Sequence, residues 1–264
     1  MVDNFYRMKT NYYIARLDIR HCLVDIRIND VPLLRRNVTS DFTAEVPINY
    51  LIESSGEQVL SVQMFPEFGN LCLLPGCKCC VEIWRYDGSG FKIVPIEKLC
   101  ISSQNISEKE EFSASKSDKK VFFSDVPYQI TRWSGCEEIK DSDNIISSVA
   151  AYFQSVSQLL VNKRYHHYLE LVREREQNIC TALFLDMNEV TVRNKMLFDY
   201  LDNGFVLGPM NGNRIQLYAN KRVVTILNND MKSALRFINE KTGEILAVDL
   251  LLGIRKGENV FCIV

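Results

Sequence analysis

The chain has 264 residues, of which 47% are hydrophobic and 24% are charged, so it is long enough to bury one large or two ordinary cores. A formal net charge of −2 and a pI of about 6.0 exclude a global electrostatic attraction to nucleic acid or to anionic membranes. The sequence also lacks the run of roughly 18 apolar residues that a membrane-spanning helix needs.

The N-terminus and the cysteines favour a reducing compartment. The first residues, Met1 to Arg7, lack the apolar core of a signal peptide, so we expect a cytoplasmic protein. The nine cysteines are an odd number in a chain that is not short, and we expect reduced, mostly buried thiols rather than a disulfide framework.

Alternating apolar and polar residues predict short strands in the N-terminal half. Asn29-Asp30 predicts a tight turn, because both residues tolerate a positive φ. A hairpin turn is predicted at Asp87–Gly90, and the serine-rich, charged segment 101–120 is predicted to be a mobile loop or hairpin tip. The predicted strands cover residues 15–20, 24–28, 31–34, 42–48, 59–65, 81–86 and 91–94, with one or two more within 121–133.

Short strands separated by turns are typical of an antiparallel sandwich. Two of them, Val46–Ile52 and Gln58–Met64, are joined by a Ser-Ser-Gly loop. This segment resembles a recurrent piece of jelly-roll, carbohydrate-binding-like domains, in which two strands and a glycine-containing turn build a sheet edge. The resemblance covers about twenty residues and implies the fold class only.

Helical periodicity is concentrated in the middle of the chain. Apolar residues recur every three or four positions from Ile145 onwards, which predicts an amphipathic helix over about 143–161, capped by Ser142 or Asp143. A second helix follows, whose apolar stripe is interrupted by the run Arg173-Glu174-Arg175-Glu176. We expect this charged run to be solvated, with Glu170 and Arg173 forming a surface pair. The predicted stripe comprises Tyr165, Leu169, Val172, Ile179 and Leu183.

The third helix has the clearest predicted boundaries. Asp186 followed by Glu189 is a variant of the capping box and marks its start. The helix ends at Asn203-Gly204, since glycine readily adopts the left-handed conformation that terminates helices.

Strands return after the helices. Asn211-Gly212 predicts a hairpin turn, and the alternating segments that follow predict an antiparallel meander. In element order and length, residues 140–264 resemble the cystatin-like or nuclear-transport-factor-like cone. The resemblance implies helices packed on one face of a curved sheet. The predicted strands cover residues 214–219, 223–227, 234–238, 245–254 and 260–264.

These patterns together predict the α+β class. We expect an N-terminal antiparallel β-sandwich over residues 1–135. Residues 136–264 are expected to form a second domain, in which three helices pack on a curved antiparallel sheet.

Four cysteines, Cys72, Cys77, Cys79 and Cys80, are close enough in sequence to suggest a tetrahedral zinc site. Their spacing differs from that of known closed sites, and the adjacent Cys79 and Cys80 point to opposite faces of a strand. We therefore predict buried or edge thiols and no metal.

Histidine is scarce, with only His21, His166 and His167 in the chain. The adjacent pair diverges by about 100° on a helix, so two histidines and a carboxylate are hard to bring together, although His167 and Glu170 can share a face. We expect polar residues near a helix end without a catalytic role.

The other common catalytic signatures are missing from the sequence. It has no Gly-x-Ser-x-Gly elbow, and neither Gly88-Ser89-Gly90 nor the segment 208–212 has the residues of a phosphate-binding loop. Arg35-Arg36 and Lys119-Lys120 are too sparse for a nucleic-acid footprint. Trp84 and Tyr86 share a strand face with Glu82, which predicts either a half-buried face or, less simply, an aromatic platform for a sugar or a partner.

The sequence therefore favours a non-catalytic protein-binding module over an enzyme, with no cofactor and no catalytic residues. Its most concrete form is a bacterial immunity or adaptor protein that binds another protein through loops and one sheet face. We expect no nucleic-acid or membrane partner, while exposed sheet edges leave a homo-oligomer open.

Two alternatives remain. The C-terminal cone can hold a pocket for a small molecule, as a carrier or an enzyme, or the N-terminal sandwich can bind carbohydrate around Trp84. The residues expected to line the cone pocket are Tyr200, Tyr218, Arg214 or Arg236, with a buried carboxylate such as Asp249.

Overall fold

The structure is a computed structural model that describes residues 10–88, 94–107, 113–140, 143–209 and 214–264. The chain forms two compact units. The first comprises the described part of Met1–Ile130 together with Ala182–Phe184, and the second comprises Thr131–Thr181 and Leu185–Val264. The predicted α+β class is confirmed, since antiparallel strands come first, then three helices, then further antiparallel strands.

The strands of the first unit form one antiparallel sheet in the order β5-β4-β1-β3-β6, with β2 also paired to β1. Apolar residues on alternate positions of β3 and β4 and along β1 are buried, as the period-two pattern predicts, whereas most apolar residues of β2 and β5 keep exposed surface. The strands are β1 (Asn11–Ile28), β2 (Val31–Pro47), β3 (Gly56–Phe65), β4 (Lys78–Asp87), β5 (Val94–Asn105) and β6 (Lys116–Ser124).

The long strand β1 organises this sheet. β2 follows one of its edges, while on the other edge β4 pairs with Asn11–Arg20 and β3 with Leu23–Ile28. Between these two segments lies His21, whose φ of 49° accompanies a register shift between Arg20 and Cys22. β1 is therefore irregular at His21, and its two halves pair with different strands on this edge.

Three boundaries in the first unit differ from those predicted. The predicted strands 15–20 and 24–28 are one strand, because the irregularity at His21 does not end the pairing of β1 with β2. Segment 101–120 is not a loop throughout, since β5 runs to Asn105 and β6 starts at Lys116. No strand is formed by residues 125–133, all of which are described.

The tight turn predicted at Asn29-Asp30 is confirmed, with φ values of 53° and 60°. Several other predictions fall outside the described residues. Residues 89–90 of the predicted Asp87–Gly90 turn and residues 91–93 of the predicted strand 91–94 are among them. The others are the cap at Ser142 or Asp143 and the turn at Asn211-Gly212.

The three predicted helices are all present, as α1 (Asp143–Val161), α2 (Tyr165–Leu183) and α3 (Met187–Asp202). α1 buries the predicted face, including Val149, Phe153 and Val156. The face of α2 differs from the prediction, because Tyr168 is buried while Leu169 remains partly exposed. Within the described ranges, no helix is both long and apolar enough to cross a membrane.

The strands after the helices form two antiparallel sheets rather than one continuous meander. One has the order β11-β10-β7 and the other β13-β12-β9-β8. The predicted strand 245–254 is interrupted and forms β11 and β12, and the short β7 was not predicted. The strands are β7 (Phe205–Leu207), β8 (Arg214–Tyr218), β9 (Val223–Leu227), β10 (Arg236–Asn239), β11 (Ile245–Ala247), β12 (Leu252–Ile254) and β13 (Phe261–Ile263).

The helices and both sheets of the second unit share one hydrophobic core. Phe153 of α1 and Tyr168 of α2 belong to it, together with Val224, Phe237 and Leu252 from three of the strands. One face of each helix packs against this core. A groove lies between α2 and α3, on sides of these helices that the core does not cover.

Candidate functional site

A groove of about 390 Å³ lies between α2 and α3. Its residues follow helical spacing on both sides: positions i, i+3, i+4 and i+7 of α2, and i, i+1, i+4, i+5 and i+8 of α3. Each helix therefore presents one continuous flank to the groove. The lining residues are Leu169, Val172, Arg173 and Glu176 of α2, with Val190, Thr191, Asn194, Lys195 and Phe198 of α3.

Contacts at one end of the groove hold the two helices together. Tyr165 of α2 stacks on Phe198 of α3, with ring centroids 4.0 Å apart and planes 13° apart. The hydroxyl of Tyr165 donates a hydrogen bond to Asp202 at 2.9 Å, and Lys163 forms an ion pair with the same carboxylate at 2.7 Å. The start of α2 and the end of α3 are thus joined by stacking, hydrogen bonding and charge.

At the other end, the first turn of α3 is fixed by its cap. The Asp186 side chain accepts hydrogen bonds from the backbone N–H groups of Asn188 at 2.8 Å and of Glu189 at 3.3 Å. This confirms the cap predicted from the sequence. Gly204 has a φ of 91° just beyond the helix, as its predicted role in ending α3 requires.

Glu176 is a buried carboxylate in the groove lining, only 2% exposed. Arg175 donates two hydrogen bonds to its Oε1, from Nε at 3.0 Å and from Nη2 at 2.7 Å. Oε2 lies 3.4 Å from Nη1 of Arg193, which makes an ion pair across the two helices, but Oε2 accepts no hydrogen bond. One oxygen of a buried carboxylate is therefore left with unused hydrogen-bonding capacity.

The charge of Arg175 is maintained by this arrangement. Burial opposes the charged guanidinium, but the neighbouring Tyr168 and Glu176 outweigh it and raise the pKa of Arg175 above its ordinary value. Arg175 consequently stays protonated and fixes the carboxylate of Glu176.

The outer part of the groove is cationic. Arg173 and Lys195 both line it and are both exposed to solvent. Arg173 lies 4.0 Å from Glu170, a distance at which an exposed pair contributes little. A molecule bound in the groove therefore contacts apolar side chains in the interior and two exposed cationic side chains, Arg173 and Lys195.

Sequence reasoning missed the buried part of this site. The run Arg173-Glu174-Arg175-Glu176 was predicted to be solvated, but the side chains of Arg175 and Glu176 are 15% and 3% exposed. The error arises because the buried face of α2 differs from the predicted one. Tyr168 and Val172 face the core, and Glu176 lies on the same helix face because it is four residues after Val172. No local signal in the sequence distinguishes this face from the predicted one, because the core of the second unit determines it.

The residues predicted for a pocket in the cone do not line this groove. Tyr218 is buried, whereas Tyr200 and Arg214 are exposed. Asp249 keeps exposed surface, but desolvation outweighs the nearby Arg175 and raises the pKa of its carboxyl. Arg236 is partly buried and lies 3.8 Å from Asp230.

The cysteine cluster consists of free thiols. Cys77 and Cys79 are buried, and Cys72 and Cys80 are partly exposed. The adjacent Cys79 and Cys80 of β4 thus differ in burial, as predicted for opposite faces of a strand. Burial raises the pKa of Cys77 and of Cys79, which disfavours their thiolate forms. Among the residues that the structure describes, no three His, Cys, Asp or Glu side chains converge on a possible metal position.

The histidine pair is arranged differently from the prediction. Nδ1 of His166, not of His167, faces Glu170, at 3.6 Å. His166 is largely exposed, and His21 is paired with Glu67 at 3.4 Å in the other unit. These positions fit surface ion pairs.

The Trp84 face is half-buried and occupied by cations. The guanidinium of Arg16 lies 4.5 Å from the centre of the Trp84 ring and 5.5 Å from that of Tyr86. Trp84 also donates a hydrogen bond to Glu82 at 2.8 Å, and Glu82 forms an ion pair with Lys98. The geometry therefore favours the half-buried face over an open platform for a sugar.

A second apolar surface lies on the loop between β3 and β4. Leu71 is 95% exposed, and Phe68 and Leu74 are about half exposed. The loop is held in place by Asn37, whose side chain accepts a hydrogen bond from the backbone of Phe68 at 3.1 Å. We call residues 68–74 the apolar loop.

Comparisons with known proteins give no family for the chain. No protein-family model matches it, and neither a curated protein nor a solved structure matches it significantly. The functional argument therefore depends on the groove itself.

Proposed function

We propose that the chain is a non-catalytic protein-binding module and that the groove between α2 and α3 is its docking site. The observation that carries the proposal is the flank shared by the two helices, in which Leu169, Val172, Val190 and Phe198 form an apolar interior below exposed cations. Grooves of this kind accept the apolar face of a partner helix, with anchors at helical spacing. A cytoplasmic adaptor or bacterial immunity protein is the most concrete form of this role.

The groove replaces the sheet face and loops as the expected docking site because it is concave and lined in part by apolar side chains. An apolar anchor in a concave site loses more contact with water than it would on a flat sheet or on an exposed loop. Leu71 of the apolar loop is almost fully exposed, so this loop is better suited to entering a partner's pocket than to receiving an anchor.

Site-specific photo-crosslinking in the native cell tests the proposal. A benzophenone amino acid replaces Thr191, which lines the groove, and in the control it replaces Val192, which is exposed on the same helix but does not line the groove. We expect one protein to be cross-linked in high yield from position 191 and not from position 192. Equal yields from both positions, or no cross-linked protein, would contradict docking in the groove.

Small-molecule binding is the second candidate, and the groove volume favours it. About 390 Å³ lies within the usual range of ligand pockets, about 300–1,000 Å³. Native mass spectrometry of the freshly purified chain distinguishes the two. A discrete added mass that is absent from the Leu169→Glu variant would support a small ligand, and a clean apoprotein would favour the protein partner.

A further inference from the structure

Strand β2 lies at an edge of the sheet in the first unit. Within the ranges that the structure describes, β2 pairs with β1 alone. Its residues 41–47 follow residues 14–20 of β1 in regular register, without a bulge. We call residues 41–47 the edge segment. Backbone groups on the outer side of such a strand can pair with a strand of another chain.

The phase of the hydrogen bonds shows which backbone groups of the edge segment point outwards. Just beyond β2, the N–H of Ile48 donates to the carbonyl of Tyr13 at 2.8 Å, in the same register as the β1–β2 pairing. Hydrogen-bonded and non-hydrogen-bonded pairs alternate along an antiparallel ladder. Pro47, which has no N–H, therefore falls on a non-hydrogen-bonded position. The other residues of this phase, whose N–H and C=O groups point away from β1, are Asp41, Thr43 and Glu45.

These outward groups are available to a partner. Among the described residues, no backbone hydrogen bond engages Asp41, Thr43 or Glu45 from the outer side of β2. Their side chains are exposed as well. Three residues with outward N–H and C=O groups can exchange hydrogen bonds with an extended chain, as in strand addition.

The apolar rows of the sheet end at the edge segment without cover. Three of its apolar residues lie opposite buried residues of β1 but keep exposed surface themselves. One more strand would continue each row and remove these side chains from water. The pairs are Phe42 with Ile19, Ala44 with Leu17, and Val46 with Ala15.

The usual protections of an edge strand lie outside residues 41–46. Natural edges are blunted by bulges, prolines or charged side chains on the inward face. Here the register shift falls before Asp41 and the proline follows Val46, while the inward side chains between them are apolar. The unprotected stretch has about the length of an average strand.

The charges on the polar face of the edge segment are already paired. Asp41 lies 3.7 Å from Arg20 of β1, and both side chains are exposed. Glu45 forms an ion pair with Arg16 at 2.8 Å. Acidic residues on an added strand would lie next to Asp41 and Glu45, whereas neutral or basic residues would not be repelled. Further from the edge lies one more ion pair, Asp18 with Lys78.

A second copy of the chain is disfavoured at this edge. Only one antiparallel register uses all three outward residues of both strands, and it pairs Thr43 with Thr43 of the other copy. That register sets Asp41 opposite Glu45 twice. Like charges directly opposite each other are destabilising, so the edge favours a different chain.

We propose that β2 receives an extended segment of another protein, which adds to the sheet as a further strand beside residues 41–46. Its backbone exchanges hydrogen bonds with Asp41, Thr43 and Glu45. Its side chains alternate, with apolar residues on the side of the uncovered rows and non-acidic residues on the other side. This site lies in the first unit and is independent of the groove.

Selection of linear peptides of about eight residues from a display library, against the full chain, tests strand addition. Peptides with alternating apolar residues are expected. Their affinity is then measured for Thr43→Pro, which removes one outward N–H and is compatible with an edge strand, and for the control Thr43→Val, which keeps the N–H. We expect a loss of at least about tenfold for Thr43→Pro. Thr43→Val should bind within about twofold of the wild type.

N-methylation of the best peptide makes the test independent of how the variants fold. One backbone N–H of the peptide is methylated at a time. Because only every second residue of an added strand turns its N–H towards β2, we expect the affinity for the wild-type chain to fall about tenfold at alternate positions only. A loss that does not alternate along the peptide would overturn strand addition.

Two further results would also overturn the inference. One is that every selected peptide binds Thr43→Pro as tightly as the wild type, whether or not Leu169→Glu affects the same peptides. The other is a dimer of the chain alone, seen by sedimentation equilibrium, that is lost in Thr43→Pro. That dimer would assign the edge segment to a second copy.

Discussion

At the scale of single residues, the structure concentrates buried charge at Glu176. Removing a carboxylate from water is costly, and the two hydrogen bonds from Arg175 and the ion pair with Arg193 offset that cost only in part. Such a group contributes less to stability than well-packed apolar residues would.

Replacing Glu176 with alanine should destabilise the chain by about 3–5 kcal/mol, because Arg175 would lose its carboxylate partner in a buried position. Urea denaturation followed by circular dichroism measures the change. Glu170→Ala on the same helix is the control, and its exposed ion pairs predict a loss of no more than about 0.5 kcal/mol. Equal losses in the two variants would show that Glu176 is not buried as described.

The thiol of Cys22 provides a prediction about pH. Burial, together with the neighbouring Cys77, raises its pKa to about 12, well above the value of about 8.5 for an unfolded thiol. The folded state therefore favours the neutral thiol, and its stability falls once the pH exceeds the unfolded pKa, because only the unfolded chain then ionises easily.

We accordingly expect the free energy of unfolding to fall more steeply between about pH 8.5 and pH 10.5 in the wild type than in Cys22→Ala, by as much as about 1 kcal/mol per pH unit. Urea titrations at several pH values, under reducing conditions, provide the measurement. Both chains are titrated in the same buffers, so that only the residue at position 22 differs between them. A Cys22→Ala slope equal to that of the wild type would refute the effect.

At the scale of elements, the Asp186 cap connects a sequence motif to the geometry of the groove. It satisfies two free N–H groups at the start of α3, and the groove residues Val190 and Thr191 lie in the turn that follows. Fraying of this turn would displace one wall of the groove.

Asp186→Ala should therefore destabilise the chain by about 1 kcal/mol, and Asp186→Ser should recover most of that loss, because serine also caps helices well. Chemical denaturation measures both variants. Hydrogen exchange adds a local readout, in which faster exchange in the first turn of α3 than in α1 is expected for the alanine variant. Unchanged exchange in α3 would mean that the cap does not hold this turn.

How far the sequence predicts an element depends on whether its signal is local. The boundaries of the helices and the Asn29-Asp30 turn follow from nearby residues, since caps, periodicity and positive φ are local properties. The inward face of α2 does not, because it depends on which residues the sheets of the second unit cover. In the sequence, Tyr168 and Leu169 are equally plausible as the buried residue of α2. Only the packing of the assembled core determines that Tyr168 is the buried one.

The short strand β7 was not predicted from the sequence, because its signal is not local either. β7 contains only three residues, and it pairs with β10 rather than with the strand that follows it in sequence. A period-two pattern over three residues is too brief to recognise, and the pairing that stabilises it involves residues far away in the chain.

At the scale of the whole molecule, each unit exposes apolar side chains that its own core does not cover. The first has the apolar loop and the second has the groove. A partner could bind at either surface, and single substitutions can distinguish the two. The leucines to be replaced are already partly exposed, so their replacement should change stability little.

Leu169 and Leu171 provide a closely matched comparison within α2. Their exposures are 36% and 38%, but only Leu169 lines the groove. A glutamate at either position should therefore change stability by a similar, small amount. Leu71→Glu in the apolar loop adds a third variant in the other unit, where Leu71 is almost fully exposed.

The most direct test of groove docking is the affinity of these three variants for the protein cross-linked from position 191, measured by isothermal titration calorimetry. Docking in the groove predicts that Leu169→Glu weakens binding at least thirtyfold, corresponding to about 2 kcal/mol for a buried anchor contact. Leu171→Glu and Leu71→Glu should bind within about twofold of the wild type. Wild-type affinity for Leu169→Glu, or a larger loss from Leu71→Glu, would contradict the account.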